Sequence, residues 1–217
     1  MKPATQPIRH RASRMQQRGV VLFFALVALV AMSLAAVALI RSVDTSTIIA
    51  GNLAFRQSTT SAGDSGIDAA MGWLSITQAA NSSLNLLTDT SHPFNITDLT
   101  TRPGYHSNAD PALDLFAEST WNNTDNNNVL VGTNASTGNT VRYVIQRMCR
   151  NANAVPSTDH CLFSAAVQDN NGQSIPLPQE VCTGAGCPVA GQAPQIRITA
   201  RTQGPRNTVS YVQAFVY

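Results

Sequence analysis

The sequence predicts an α+β protein: one long N-terminal helix, then a polar, turn-rich stretch, then a C-terminal antiparallel β-sheet of four to five strands. Three observations carry this. Residues 20–40, VVLFFALVALVAMSLAAVALI, hold no charge. No proline stands between Pro7 and Pro93, so a helix is free to run on well past that apolar segment. Near the C-terminus two segments alternate apolar and polar side chains with the period of two that belongs to strands.

The elements follow in order. At a rise of 1.5 Å per residue the apolar segment makes a helix about 31 Å long, enough to cross a hydrocarbon core of about 30 Å. Ser33 is its one polar side chain, and its hydroxyl is expected to return to a helix carbonyl. Lys2, Arg9, Arg11, Arg14 and Arg18 precede it, with no acid before Asp44. This asymmetry predicts a cytoplasmic N-terminus and an extracytoplasmic C-terminal part. Beyond Arg41, apolar or small residues recur at Ile49, Leu53, Gly63, Ile67, Ala70, Met71 and Leu74, the stripe of a helix lying on a sheet. Arg56–Gly66 is poor helix sequence, which leaves room for a break within the long helix.

From Asn81 to Asn139 the chain reads as loop, with a short helical turn around Leu113–Phe116. Strands are expected at Asn128–Thr133 and Thr140–Met148, joined by a turn at Asn134–Gly138, and at Leu162–Val167. Gln195–Thr202 and Thr208–Tyr217 form the last two, turning at Gly204–Asn207. The domains are therefore 1–19 (basic leader), 20–80 (helix, membrane-spanning over 20–40) and 81–217 (loop and sheet). At 217 residues, one globular domain outside the membrane is the expectation.

Charge and cysteines narrow the function classes. The leader holds five cations; from Val20 onward nine arginines face twelve carboxylates, a net charge of −3. That balance leaves no basic stripe for nucleic acid. Four cysteines, Cys149, Cys161, Cys182 and Cys187, read as disulfides in an oxidising compartment. Chain proximity favours Cys149–Cys161 and Cys182–Cys187, with crossed pairings open. Their spacings are not those of a zinc site. Asp125–Asn128 and Asp169–Gly172 offer oxygens but lack the spacing and terminal glutamate of a calcium loop. The histidines, His10, His92, His106 and His160, stand apart, and no nucleophile, Walker or Rossmann motif is present. No enzyme activity, metal or cofactor is expected. Trp73 reads as helix packing.

Three readings of the apolar segment remain: a permanent signal anchor, a secretory signal cut near Ala36-Val37-Ala38, and a leader cut before the segment. Basic leader, Gly19, then Val20-Val21-Leu22-Phe23-Phe24 resembles the class III signal of type IV pilins and pseudopilins. The resemblance implies that a prepilin peptidase cuts after Gly19 and methylates Val20. Most of that family place a glutamate five residues after the cut; here the position is Phe24. Ile40-Arg41-Ser42 followed by Ala50-Gly51-Asn52-Leu53-Ala54-Phe55-Arg56 is similar to the N-terminal segment of PilX-type minor pilins, which typically lack that glutamate too. The similarity covers residues 15–75. It implies a structural subunit that inserts in the bacterial inner membrane and then joins a type IV pilus. The partners implied are the major pilin, other minor pilins and a tip adhesin. A chain ending on an apolar strand also resembles these subunits. The alternatives are the tip pseudopilin of type II secretion and a membrane-anchored periplasmic binding or adhesion domain.

Overall fold

The computed structural model describes residues 18–122, 124–165, 171 and 182–217. Most of the basic leader, most of Asp169–Gly172 and the end of the strand expected at Leu162–Val167 lie outside them. The chain divides into two compact units, residues 1–51 and 52–217. One helix, α1 (Arg18–Ala80), runs 63 residues.

In the first unit every side chain from Val20 to Ala50 is exposed. Hydroxyls along this stretch return to the helix's own carbonyls. Ser33 Oγ donates to Val30 O at 2.8 Å, and Thr45, Ser46 and Thr47 donate to the carbonyls of Arg41, Ser42 and Val43. With backbone and hydroxyls bonded internally, such a helix suits a solvent that offers no hydrogen bonds. It is long and apolar enough to cross a membrane.

The second unit is built on a mixed five-stranded sheet. Its strands are β1 (Tyr105–His106), β2 (Val129–Thr133), β3 (Thr140–Arg147), β4 (Ile196–Gln203) and β5 (Val209–Val216). β3, β4 and β5 are antiparallel neighbours in full register, from Thr140↔Gln203 to Arg147↔Ile196 and from Ile196↔Val216 to Gln203↔Val209. β1 and β2 share the other side of β3: β2 lies antiparallel beside Thr140–Tyr143, and β1 lies parallel beside Ile145–Gln146. The sheet is mainly antiparallel, as expected, with β1 its one parallel strand among the described residues. The parallel strand comes from the stretch read as loop, because Tyr105 is needed in the core. It is fully buried and its hydroxyl donates to Phe94 O at 2.8 Å.

Asn52–Ala80 lies along one face of this sheet, with Thr59, Gly63, Gly66, Ala70 and Leu74 buried. No break occurs; the helix is continuous through Arg56–Gly66. The glycines that weaken it locally are its closest points of approach. A Cβ on Gly63 would stand 2.7 Å from Val212 Cγ2, and one on Gly66 2.8 Å from Ala200 Cβ and 2.9 Å from Val141 Cγ1. Packing thus overrides a propensity deficit of about 1 kcal/mol per glycine. Ile49, Leu53 and Met71, assigned to the stripe from sequence, are exposed, whereas Thr59 and Gly66 belong to it.

The core joins Ala70 and Leu74 to Phe94, Tyr105, Tyr143, Ile145, Ile196 and Ile198. Trp73 packs there as expected, 5.4 Å from the Tyr105 ring and 6.0 Å from Phe94. The helical turn expected near Leu113 sits instead at Glu118–Trp121, as a 3-10 turn. Asp114 spends its carboxylate on the Phe116 amide, and Trp121 Nε1 donates to Leu115 O, pinning the turn four residues later. Among residues 161–165 there is no strand, only isolated bridges of Cys161 to Cys149 and Phe163 to Pro194.

Candidate functional site

The sequence-predicted site residues fall in separate places. Gly19 and Val20 lie in the first turns of α1. Val20 is exposed, and so is Phe24, whose ring meets Phe23 edge-on at 6.1 Å. A phenylalanine there keeps the helix surface wholly apolar where a carboxylate would have to find a partner inside a bilayer. Over Val20–Ile40 no large apolar side chain is covered by the chain itself. That surface is the largest unsatisfied apolar area among the described residues, and burying it in lipid or against other helices is what it can do chemically.

The cysteines pair as Cys149–Cys161 and Cys182–Cys187. The first bridge is buried and closes the loop that follows β3. Beside it sits a cluster that sequence reasoning missed. Arg147, fully buried, has no carboxylate partner among the described residues: Nε donates to Ser107 O at 2.8 Å, Nη2 to Ala154 O at 2.6 Å, and Nη1 to Asn95 Oδ1. Asn95 Nδ2 in turn donates to Leu86 O and Asp89 O, both at 2.8 Å. The Asn153 amide donates to Ser107 Oγ at 2.9 Å, while Asn153 Oδ1 accepts from the Thr97 amide at 2.7 Å. One guanidinium therefore ties three loop segments (86–97, 107 and 153–154) to the end of β3. Its desolvation holds its pKa below the usual arginine value. A signal for it existed: Val141, Tyr143, Ile145 and Arg147 share one parity of β3, so an arginine occupies an inward position.

The three described histidines, His92, His106 and His160, lie apart from one another. His92 and His106 are buried in different surroundings, and His160 Nε2 lies 3.1 Å from Val155 O. Burial pushes the pKa of both His92 and His106 down; Asp89 opposes this at His92, as do the Asn127 carbonyl and Asp110 at His106. His92 Nδ1 accepts from the Phe94 amide at 3.2 Å, a role open only to the neutral ring. Among the described residues no three metal-ligating side chains cluster. Asn128, from the Asn-rich run considered for calcium, instead donates to Thr120 O and Asn122 O.

The outer face of the sheet, away from α1, is covered as far as β4. Arg201 pairs with Glu118 and lies over the Trp121 ring at 5.9 Å, and Arg142 donates to Asn128 Oδ1 at 3.0 Å. The cover thins at β5: the Phe116 and Trp121 rings meet Tyr211 at 5.5 and 6.0 Å, while Val209, Tyr211 and Phe215 remain exposed. No protein-family model, curated protein or solved structure matches the chain.

Proposed function

We propose that the chain is a structural subunit of a type IV pilus, a minor pilin of the PilX type, and not an enzyme. The observation that carries this reading is the division of α1. Its first portion presents an apolar surface the chain leaves uncovered, while Asn52–Ala80 is the packed backbone of a small sheet domain. Such a helix serves two solvents in turn: lipid first, then the helices of neighbouring subunits. The basic leader stays cytoplasmic, and the disulfide-bonded domain is periplasmic and afterwards on the cell surface. Prepilin peptidase cuts after Gly19 and methylates Val20. Other minor pilins and the major pilin pack against the apolar helix. Phe24, with no carboxylate to satisfy, suits a subunit at or near the tip, where it helps prime assembly and meets an adhesin. Among the described residues the sheet domain contains no α-helix besides α1, which favours this subunit over the helix-rich tip pseudopilin of type II secretion.

Mass spectrometry of the mature N-terminus tests the reading. A methylated Val20 is expected. An intact leader, or a cut near Ala38, would overturn it in favour of an anchored or secreted domain. Phe24→Glu is expected to abolish piliation while Phe24→Ala preserves it; equal piliation in both would remove the tip assignment.

A further inference from the structure

Among the described residues of the sheet domain, the least protected strand is β5. It hydrogen-bonds only to β4, so among the described residues one side of this eight-residue strand has no neighbour. Natural edge strands are blunted by charge, proline, bulges or brevity. The opposite side of the sheet uses the last two: β2 is short and bulged between Leu130 and Gly132, and β1 has two residues. Val209–Val216, VSYVQAFV, uses none. The Gly204 amide donates to Thr208 O at 2.7 Å, which sets the phase of the β4–β5 ladder. By the antiparallel alternation, the N–H and C=O groups of Val209, Tyr211, Gln213 and Phe215 then point to the open side. The same residues carry the exposed outer side chains, and Phe116 stands edge-on to Tyr211 at 5.5 Å. Leu115, Phe116, Thr199, Tyr211 and Gln213 line a groove of about 250 Å³ beside the strand.

We infer that β5 accepts a sixth strand from another polypeptide: an extended, uncharged segment with apolar side chains at alternate positions, one of them entering this groove. A row of free main-chain groups specifies a strand rather than a helix or a small molecule. The absence of charge along β5 specifies an uncharged donor, since a desolvated ion opposite it would find no partner. A second copy fits less well. Antiparallel pairing of β5 with β5 relates the copies by a two-fold axis normal to the sheet, and that axis reverses Asn52–Ala80. The two Asn52 ends would then leave the joined sheet at opposite ends, a poor fit to two chains anchored in one bilayer. This last step rests on the membrane reading above; the strand edge does not.

The test uses the full chain, disulfides intact, in detergent micelles. The probe is the acetylated, amidated peptide Thr-Val-Thr-Tyr-Thr-Val-Thr, with amide exchange as the readout. At a peptide concentration about ten times its Kd, exchange at Tyr211, Gln213 and Phe215 is expected to slow about tenfold. Methylating the peptide nitrogens along its pairing edge is expected to abolish the effect; methylating those of the other edge is not. Gln213→Pro, which removes a main-chain donor from the open side, is expected to abolish it as well, and the methylated peptides decide the matter should that variant misfold. Unchanged exchange at β5, equal protection by both methylated peptides, or equal protection by a Lys/Glu-substituted peptide would each overturn the inference. Protection of the same amides without peptide, rising with protein concentration, would replace the donor strand by a second copy. None of these outcomes depends on how the N-terminus is processed, so this inference and the pilus assignment fail separately.

Discussion

A single methyl group at Gly66 puts the helix-on-sheet packing to a quantitative test. Gly66→Ala improves intrinsic helix propensity by about 1 kcal/mol, so on propensity alone the variant is more stable. The packing says the opposite. The new Cβ would stand 2.8 Å from Ala200 Cβ and 2.9 Å from Val141 Cγ1, against an ordinary contact of 3.4 Å or more. Ala200 Cβ has no rotamer to change, being fixed to the backbone of β4. Relief therefore needs a shift of roughly 0.6 Å between helix and strand, and with it the contacts at Gly63 and Ala70 loosen. Overpacking of this kind costs about 1–3 kcal/mol. The net expectation is a loss of about 1 kcal/mol. Gly72→Ala is the internal control: a Cβ there meets nothing within 4 Å, so that variant is expected to gain about 1 kcal/mol. Urea unfolding followed by Trp73 fluorescence reads both, Trp73 lying half-buried at this interface. Opposite signs for the two variants support the packing. A Gly66→Ala protein as stable as the parent would refute it.

Arg147→Met leaves Ser107 O, Asn95 Oδ1 and Ala154 O without their donor, and a loss of about 3 kcal/mol is expected by thermal unfolding, with Arg147→Lys intermediate. His92 and His106 both have folded pKa values below the unfolded value, so the native state binds fewer protons than the unfolded chain. Stability is then complete above about pH 6.5 and falls as the solution is acidified through the folded values, by at most about 1.4 kcal/mol per pH unit for each ring. A urea midpoint that rises between pH 7 and pH 5 would contradict this. Opening the Cys149–Cys161 loop by a double Cys→Ser change is expected to cost about 3 kcal/mol, and opening Cys182–Cys187 about 2 kcal/mol, because the loops span 12 and 5 residues. Equal effects would show that loop closure is not what these bridges contribute.

Much of the fold is legible in local pattern. The helix from Val20 to Ala80, the β2–β3 hairpin and the β4–β5 hairpin all lie within two residues of where composition and periodicity put them. Both disulfides join the cysteines closest in sequence. Misreadings cluster where a residue's conformation is set by something distant. Arg56–Gly66 leaves room for a break on propensity alone, because propensity takes no account of the sheet that needs a bare backbone at Gly63 and Gly66. Tyr105–His106 looked like loop because a two-residue strand has no periodicity to detect. Glu118–Trp121 took the helical turn expected at Leu113–Phe116 because Trp121 anchors back on Leu115 O.

The sequence by itself determined the helix, the charge asymmetry around its apolar portion and the strand alternation near the C-terminus, all properties carried by neighbours in the chain. Only the tertiary structure decided which side chains those elements bury. It set Arg147 among neutral carbonyls, turned Gly66 from a weakness into a contact, and left β5 with no neighbour along its open side among the described residues. Hydrogen bonding and burial are settled between segments tens of residues apart, and no local window of sequence contains both halves of such a contact.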